Sequence, residues 1–139
     1  MKLHAEVLTL RTKHPFVIAR GGASDYRTVF VRVSDRDGAE GWGEAAPNRF
    51  YGETTDGALH AIERLRPVVE AADSWSLEAL EPAMNAALRL NGSVKSAISM
   101  AFHDLAAKRL GVPLWKLWGL DPAAAPLSSF TIAIAADED

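Results

Sequence analysis

The sequence predicts an α+β domain, an antiparallel three-stranded meander followed by a helical bundle, with one last strand that belongs to a second, α/β domain. Three observations predict it. β-Branched and aromatic residues recur through residues 1–46 and are separated by Gly and Asp clusters. From Thr54 the apolar residues change to a helical period. Residues 130–135, Phe-Thr-Ile-Ala-Ile-Ala, are almost continuously apolar, as in a strand covered on both faces of a parallel sheet.

In chain order, Leu3 to Leu10 alternates loosely, and Thr28 to Val33 is a stronger strand. Asp35-Arg36-Asp37-Gly38 supplies a turn in which Gly38 takes a positive φ, and Ala39 to Ala45 returns as the partner strand. Leu59, Ile62, Leu65 and Val69 form the apolar stripe of a first helix, with Thr54 or Thr55 as cap and Asp56 in the first turn. Pro67 is expected to kink or shorten it. A second helix begins at Ser74 or Ser76 with Leu77, Leu80, Met84 and Leu88 on one face, weakened in its middle by Pro82. The third starts at Asn91-Gly92-Ser93 and carries Val94, Ala97, Ile98, Ala101, Leu105 and Ala106 along one side. Lys108 and Arg109 suit its C-terminal dipole, Gly111 the left-handed position after it, and Pro113 the stop. A turn of helix at Leu114 to Trp118 ends at Gly119, and 121–126 is a linker. A parallel strand at 130–135 requires neighbours reached by crossovers of a dozen or more residues. The expected organisation is therefore a domain over 1–120, then a linker and the first strand of an absent α/β domain over 121–139.

Composition bounds the function. The 139 residues are 48% hydrophobic and 24% charged, with net charge −3 and no cysteine. That suits one globular core and offers no basic footprint for nucleic acid. It excludes disulfides and thiolate chemistry. No apolar run approaches membrane-spanning length, so a cytoplasmic protein is expected. His4, His14, His60 and His103 stand apart without ligand spacing, and no nucleophile elbow, P-loop or dinucleotide fingerprint occurs. His103 and Asp104 are adjacent on a helix and so diverge. Two segments remain. Arg20-Gly21-Gly22-Ala23-Ser24 reads as a mobile loop, either a binding lid or an ordinary flexible hairpin. Ala46 to Glu53 places Arg49, Phe50 and Tyr51 where no core periodicity requires them.

The residues support a family resemblance. Gly41-Trp42-Gly43-Glu44-Ala45-Ala46-Pro47, followed by Tyr51-Gly52-Glu53-Thr54, is similar to the segment closing the N-terminal sheet in the muconate-lactonizing and dipeptide-epimerase branch of the enolase superfamily. Ser96 to Lys108, followed by Leu110-Gly111-Val112-Pro113 and Leu114 to Gly119, resembles that superfamily's helix and linker pattern. His14-Pro15-Phe16-Val17-Ile18-Ala19-Arg20-Gly21 and Asn48 to Glu53 resemble the two cap loops of dipeptide epimerases of the L-Ala-D/L-Glu type, though Ala46 and Asn48 depart from many bacterial relatives.

The resemblance implies an enolase-type capping domain leading into a TIM-type barrel of roughly 250 residues. In such enzymes Mg²⁺ and lysines on the barrel stabilise and form an enolate next to a carboxylate. It implies an isomerase whose catalytic groups and metal ligands lie outside this chain, so that the fragment alone is inactive. The cap would contribute substrate contacts: Arg20 as a clamp for a side-chain carboxylate, then Arg49, Phe50 and Tyr51, with Ile18 and Thr131 lining the pocket. Phe16 is a further apolar candidate, and Glu44 is assigned to tying the sheet to the barrel rather than to catalysis. The implied partners are a small-molecule substrate, a dipeptide, the barrel domain, and further copies in a homo-oligomer. Competing readings are the cap of a cycloisomerase, an o-succinylbenzoate synthase or an N-acylamino acid racemase, and a free-standing α+β interaction module.

Overall fold

A computed structural model describes residues 1–18 and 21–129. Three strands, β1 (Lys2–Ile18), β2 (Gly21–Ser34) and β3 (Glu40–Ala45), precede four helices, α1 (Thr55–Ala71), α2 (Leu77–Ala87), α3 (Gly92–Leu110) and α4 (Leu114–Leu117). The sheet is antiparallel in the order β1-β2-β3, with Leu3 opposite Val33 and Val31 opposite Gly43. This is the expected meander with the helices after it. The segment 130–135 and its barrel-strand reading lie outside the described residues.

Strand alternation sets the core. Leu3, Val29, Val31, Val33 and Ala45 are buried on the inner face, where they meet Ile62, Leu65 and Val69 of α1, Leu80 and Met84 of α2, and Ile98, Phe102 and Leu105 of α3. β3 has glycine at both central inward positions. A Cβ on Gly41 would lie 1.9 Å from the Ala101 carbonyl oxygen, and one on Gly43 would lie 2.0 Å from that of Ala97. The backbone of β3 thus rests directly on α3. On the free edge of β3, Asp104 Oδ2 accepts the Trp42 N–H at 2.9 Å, which satisfies a donor the sheet leaves open.

The helices follow the predicted periods. α1 and α2 continue past Pro67 and Pro82, both exposed, so neither proline ends its helix. Burial of the apolar stripe on the opposite face of each helix outweighs the missing backbone donor. Thr54 is the cap of α1, its Oγ1 accepting the Gly57 N–H at 3.0 Å. α3 starts and stops where expected, and Gly111, at φ 65°, donates its N–H to the carbonyls of Ala107 and Lys108. Asn91 caps α3 without a side-chain bond and is itself left-handed, at φ 58°.

The glycine-rich segment departs from its reading as a loop. Gly21, Gly22 and Ala23 pair with Ile18, Val17 and Phe16, so they are the start of β2. Glycine is what allows this pairing. Gly21 has φ 110°, and a Cβ on Gly22 would lie 2.8 Å from the Phe16 carbonyl oxygen.

Arg109, at the end of α3, gathers three parts of the chain. Its Nη2 lies 2.8 Å from Asp35 and 2.6 Å from Asp37 in the β2–β3 turn, and its Nη1 donates to Ser74 Oγ at 2.7 Å between α1 and α2. The guanidinium also sits over the Trp75 ring, 5.6 Å from its centroid. The Arg109 side chain is only 16% exposed, so Arg109→Ala is expected to cost about 2–3 kcal/mol in thermal denaturation. The backbone N–H of Arg36 above all, then Ser74 and Arg109, hold the Asp35 carboxyl below the usual carboxylate range. A lowered folded pKa stabilises the fold above the unfolded value of about 4 and is lost as pH falls through the folded value. The gap between wild type and Arg109→Ala should therefore narrow below about pH 4.

Candidate functional site

The segment after β3 is a compact turn. Asn48 Oδ1 accepts the Phe50 N–H at 2.9 Å, its carbonyl accepts from Tyr51 and Glu53, and Gly52 closes the turn at φ 70°. A single 3₁₀ turn, Arg49–Tyr51, thereby holds three large side chains outward. Phe50 is 58% exposed and Tyr51 81% exposed, so neither serves the core. The Arg49 guanidinium lies over the Phe50 ring, 5.7 Å from its centroid.

This turn meets the far end of the β1–β2 hairpin. A Cβ on Gly21 would lie 3.6 Å from Arg49 Nη2. The two segments singled out in the sequence, which are separated by most of β2 and all of β3, are therefore neighbours. Of the predicted site residues, Arg49, Phe50 and Tyr51 sit together on the turn. Ile18 joins them through its backbone, as the strand partner of Gly21. Arg20 and Thr131 lie outside the described residues. Phe16, also on the hairpin, is exposed. Glu44 accepts a hydrogen bond from Thr28 Oγ1 at 2.7 Å, which ties β3 to β2 within the sheet.

On its other side the turn forms the rim of a groove of about 1050 Å³, walled by Asn48, Tyr51, Met84, Met100, His103 and Trp118. His103, one of the four histidines without ligand spacing in the sequence, is part of this wall, which the sequence does not predict. Its Nδ1 lies 2.8 Å from the Ser99 carbonyl oxygen, which can only accept, so Nδ1 carries the proton. Its ring meets Trp118 edge-on, with centroids 5.6 Å apart. Asp104, one residue on, turns instead to Trp42 and Lys108. The available signal was that Met100 and His103 fall off the core stripe of α3. Among the described residues, no three His, Asp or Glu side chains come together to hold a metal ion, and no helix is long and apolar enough to cross a membrane.

A family model for the mandelate racemase / muconate lactonizing enzyme N-terminal domain matches residues 3–119. The chain belongs to this family, within the enolase superfamily. An L-Ala-D/L-Glu epimerase of Bacteroides thetaiotaomicron is 28% identical over 134 residues, 96% of this chain and 34% of that protein. A crystal structure of a dipeptide epimerase from Cytophaga hutchinsonii, complexed with Mg and the dipeptide D-Ala-L-Val, superposes with a TM-score of 0.86 at 26% identity, over 96% of this chain and 37% of that one. An o-succinylbenzoate synthase of Geobacillus stearothermophilus is 35% identical over 116 residues, covering 81% of this chain and 31% of its own length. The chain thus spans about a third of the family members it matches.

Proposed function

We propose that this chain is the cap of a Mg²⁺-dependent dipeptide epimerase and supplies substrate recognition to a barrel that carries the chemistry. The observation that supports the reading is the meeting of the 48–53 turn with the hairpin end. Two segments without a core role, one of them presenting bare aromatic side chains, come together on a domain whose matched relatives include dipeptide epimerases. The proposed division is a cap over 1–120, with 121–139 leading into the barrel through Thr131.

The reaction is removal of the proton next to the substrate's C-terminal carboxylate and its return from the opposite face. Bound Mg²⁺ would supply electrostatic stabilisation of the enolate. Its ligands are assigned to the remainder of the intact protein, as the family resemblance implies. What this chain does is bind and exclude water. Arg20, which precedes Gly21 in the sequence, is proposed to clamp an acidic side chain such as that of Ala-Glu. Phe50 and Tyr51 are proposed as an apolar wall and Ile18 as a further substrate contact, and Arg49 joins the 48–53 turn to the hairpin. The groove along α3 is assigned to contact with the barrel.

The second reading, a synthase or cycloisomerase cap, is favoured by the 35% identity to the o-succinylbenzoate synthase. Offering the intact protein Ala-Glu, Ala-Leu, the substrate of an o-succinylbenzoate synthase and a muconate separates the two. Epimerisation of dipeptides at a kcat/KM at least about tenfold above the others is expected. Turnover of only the non-peptide substrates would replace this proposal with the second reading.

A further inference from the structure

The outer half of the β1–β2 hairpin is poorly supported by its own sheet. β3 pairs only with Val29 to Ser34 of β2, so beyond Thr28 the hairpin is a two-stranded ribbon. Such ribbons are at best marginally stable in water. Its ladder is also interrupted: Arg11 pairs with Asp25 and Phe16 with Ala23, so four residues of β1 face Ser24 alone. The Arg11–Asp25 ion pair, at 2.6 Å, is solvent-exposed and stabilises little. Beyond the interruption, at Gly21, a side chain from another part of the chain, Arg49, approaches.

Arg49 is well placed to act as a brace. It stands on a turn closed by backbone bonds from Tyr51, Gly52 and Glu53, and its guanidinium is stacked on Phe50, which limits its rotamers. Gly21 has φ 110°, and a Cβ there would make ordinary van der Waals contact with Nη2 at 3.6 Å, so Arg49 lies beside the hairpin backbone at this point. We propose that Arg49 is a positioning residue that fixes the hairpin end against the 48–53 turn. Its effect on turnover rests on the cap function proposed above, and it reaches the substrate through the hairpin rather than by touching it.

The test uses the intact protein with Arg49→Ala and Arg49→Met, the second keeping the apolar stem over Phe50. Hydrogen exchange in the absence of substrate should rise about tenfold at the amides of 16–18 and 21–24 in both variants, while the α3 amides stay protected. Where dipeptides are turned over, kcat/KM should fall by the same factor, about tenfold, for Ala-Glu and Ala-Leu, mainly through KM. Unchanged exchange at the hairpin would overturn the proposal. So would a loss confined to Ala-Glu, which would place Arg49 on the substrate carboxylate. The exchange result does not depend on turnover, so failure of the epimerase reading would leave it standing.

Discussion

Replacing Gly41 or Gly43 with alanine is expected to destabilise the domain by about 3 kcal/mol or more each, the upper end of the cost of overpacking, and the double replacement is expected to abolish folding. The added methyl at Gly43 would sit 2.0 Å from the Ala97 carbonyl oxygen, and at Gly41 1.9 Å from that of Ala101 and 2.6 Å from the Leu105 nitrogen. These neighbours are helix backbone, so no rotamer change relieves the overlap. Either β3 lifts or α3 shifts, and both elements carry the core. Total stabilities of about 5–15 kcal/mol leave little reserve for two such losses. Gly92→Ala is the control. Nothing lies within 4 Å of its added Cβ, at the start of the same helix, and it should be neutral or stabilising by a few tenths of a kcal/mol up to about 1 kcal/mol. Equal melting temperatures for Gly43→Ala and Gly92→Ala would contradict the strand-on-helix packing.

Arg20→Ala carries the second large effect. If its guanidinium clamps a side-chain carboxylate, the intact enzyme should lose about 100-fold in kcat/KM for Ala-Glu, the range of a charge-assisted hydrogen-bond pair. Ala-Leu offers no carboxylate at that position and should change less than about threefold. Arg20→Lys should recover only part of the loss, because an ammonium cannot make the two parallel bonds of a guanidinium. Equal losses on both dipeptides would remove the clamp. Together with Arg49→Ala, the comparison separates the two arginines: one effect depends on the substrate side chain and the other does not.

The legible parts of the fold were those governed by local period and by cap chemistry. The alternation of Val29, Val31 and Val33, the stripe of α3 and the stop at Gly111 all follow from side-chain pattern and backbone preference, and the structure has them where expected. Pro67 and Pro82 do not end their helices, because the far faces of those helices are buried. Gly21 to Ser24 reads as a loop in the sequence for a related reason: glycine is poor in an isolated strand, but here Gly22 permits a strand partner to approach too closely for any side chain. The same holds for Gly41 and Gly43, whose role depends on a helix about 60 residues away. Of the site, Arg49, Phe50 and Tyr51 could be found because they broke the core pattern. Their meeting with Gly21 is a product of tertiary packing without a local sequence signal, and for the groove wall the sequence offers only that Met100 and His103 fall off the core stripe of α3.

The central claim, that this domain caps an enzyme forming an enolate next to a dipeptide carboxylate, is tested most directly by running the intact protein with Mg²⁺ and Ala-Glu in deuterated water. The account predicts deuterium at the α-carbon of the C-terminal residue, with loss of its configuration, and no exchange when residues 1–139 are supplied alone. Epimerisation without deuterium incorporation, or exchange by residues 1–139 alone, would contradict it.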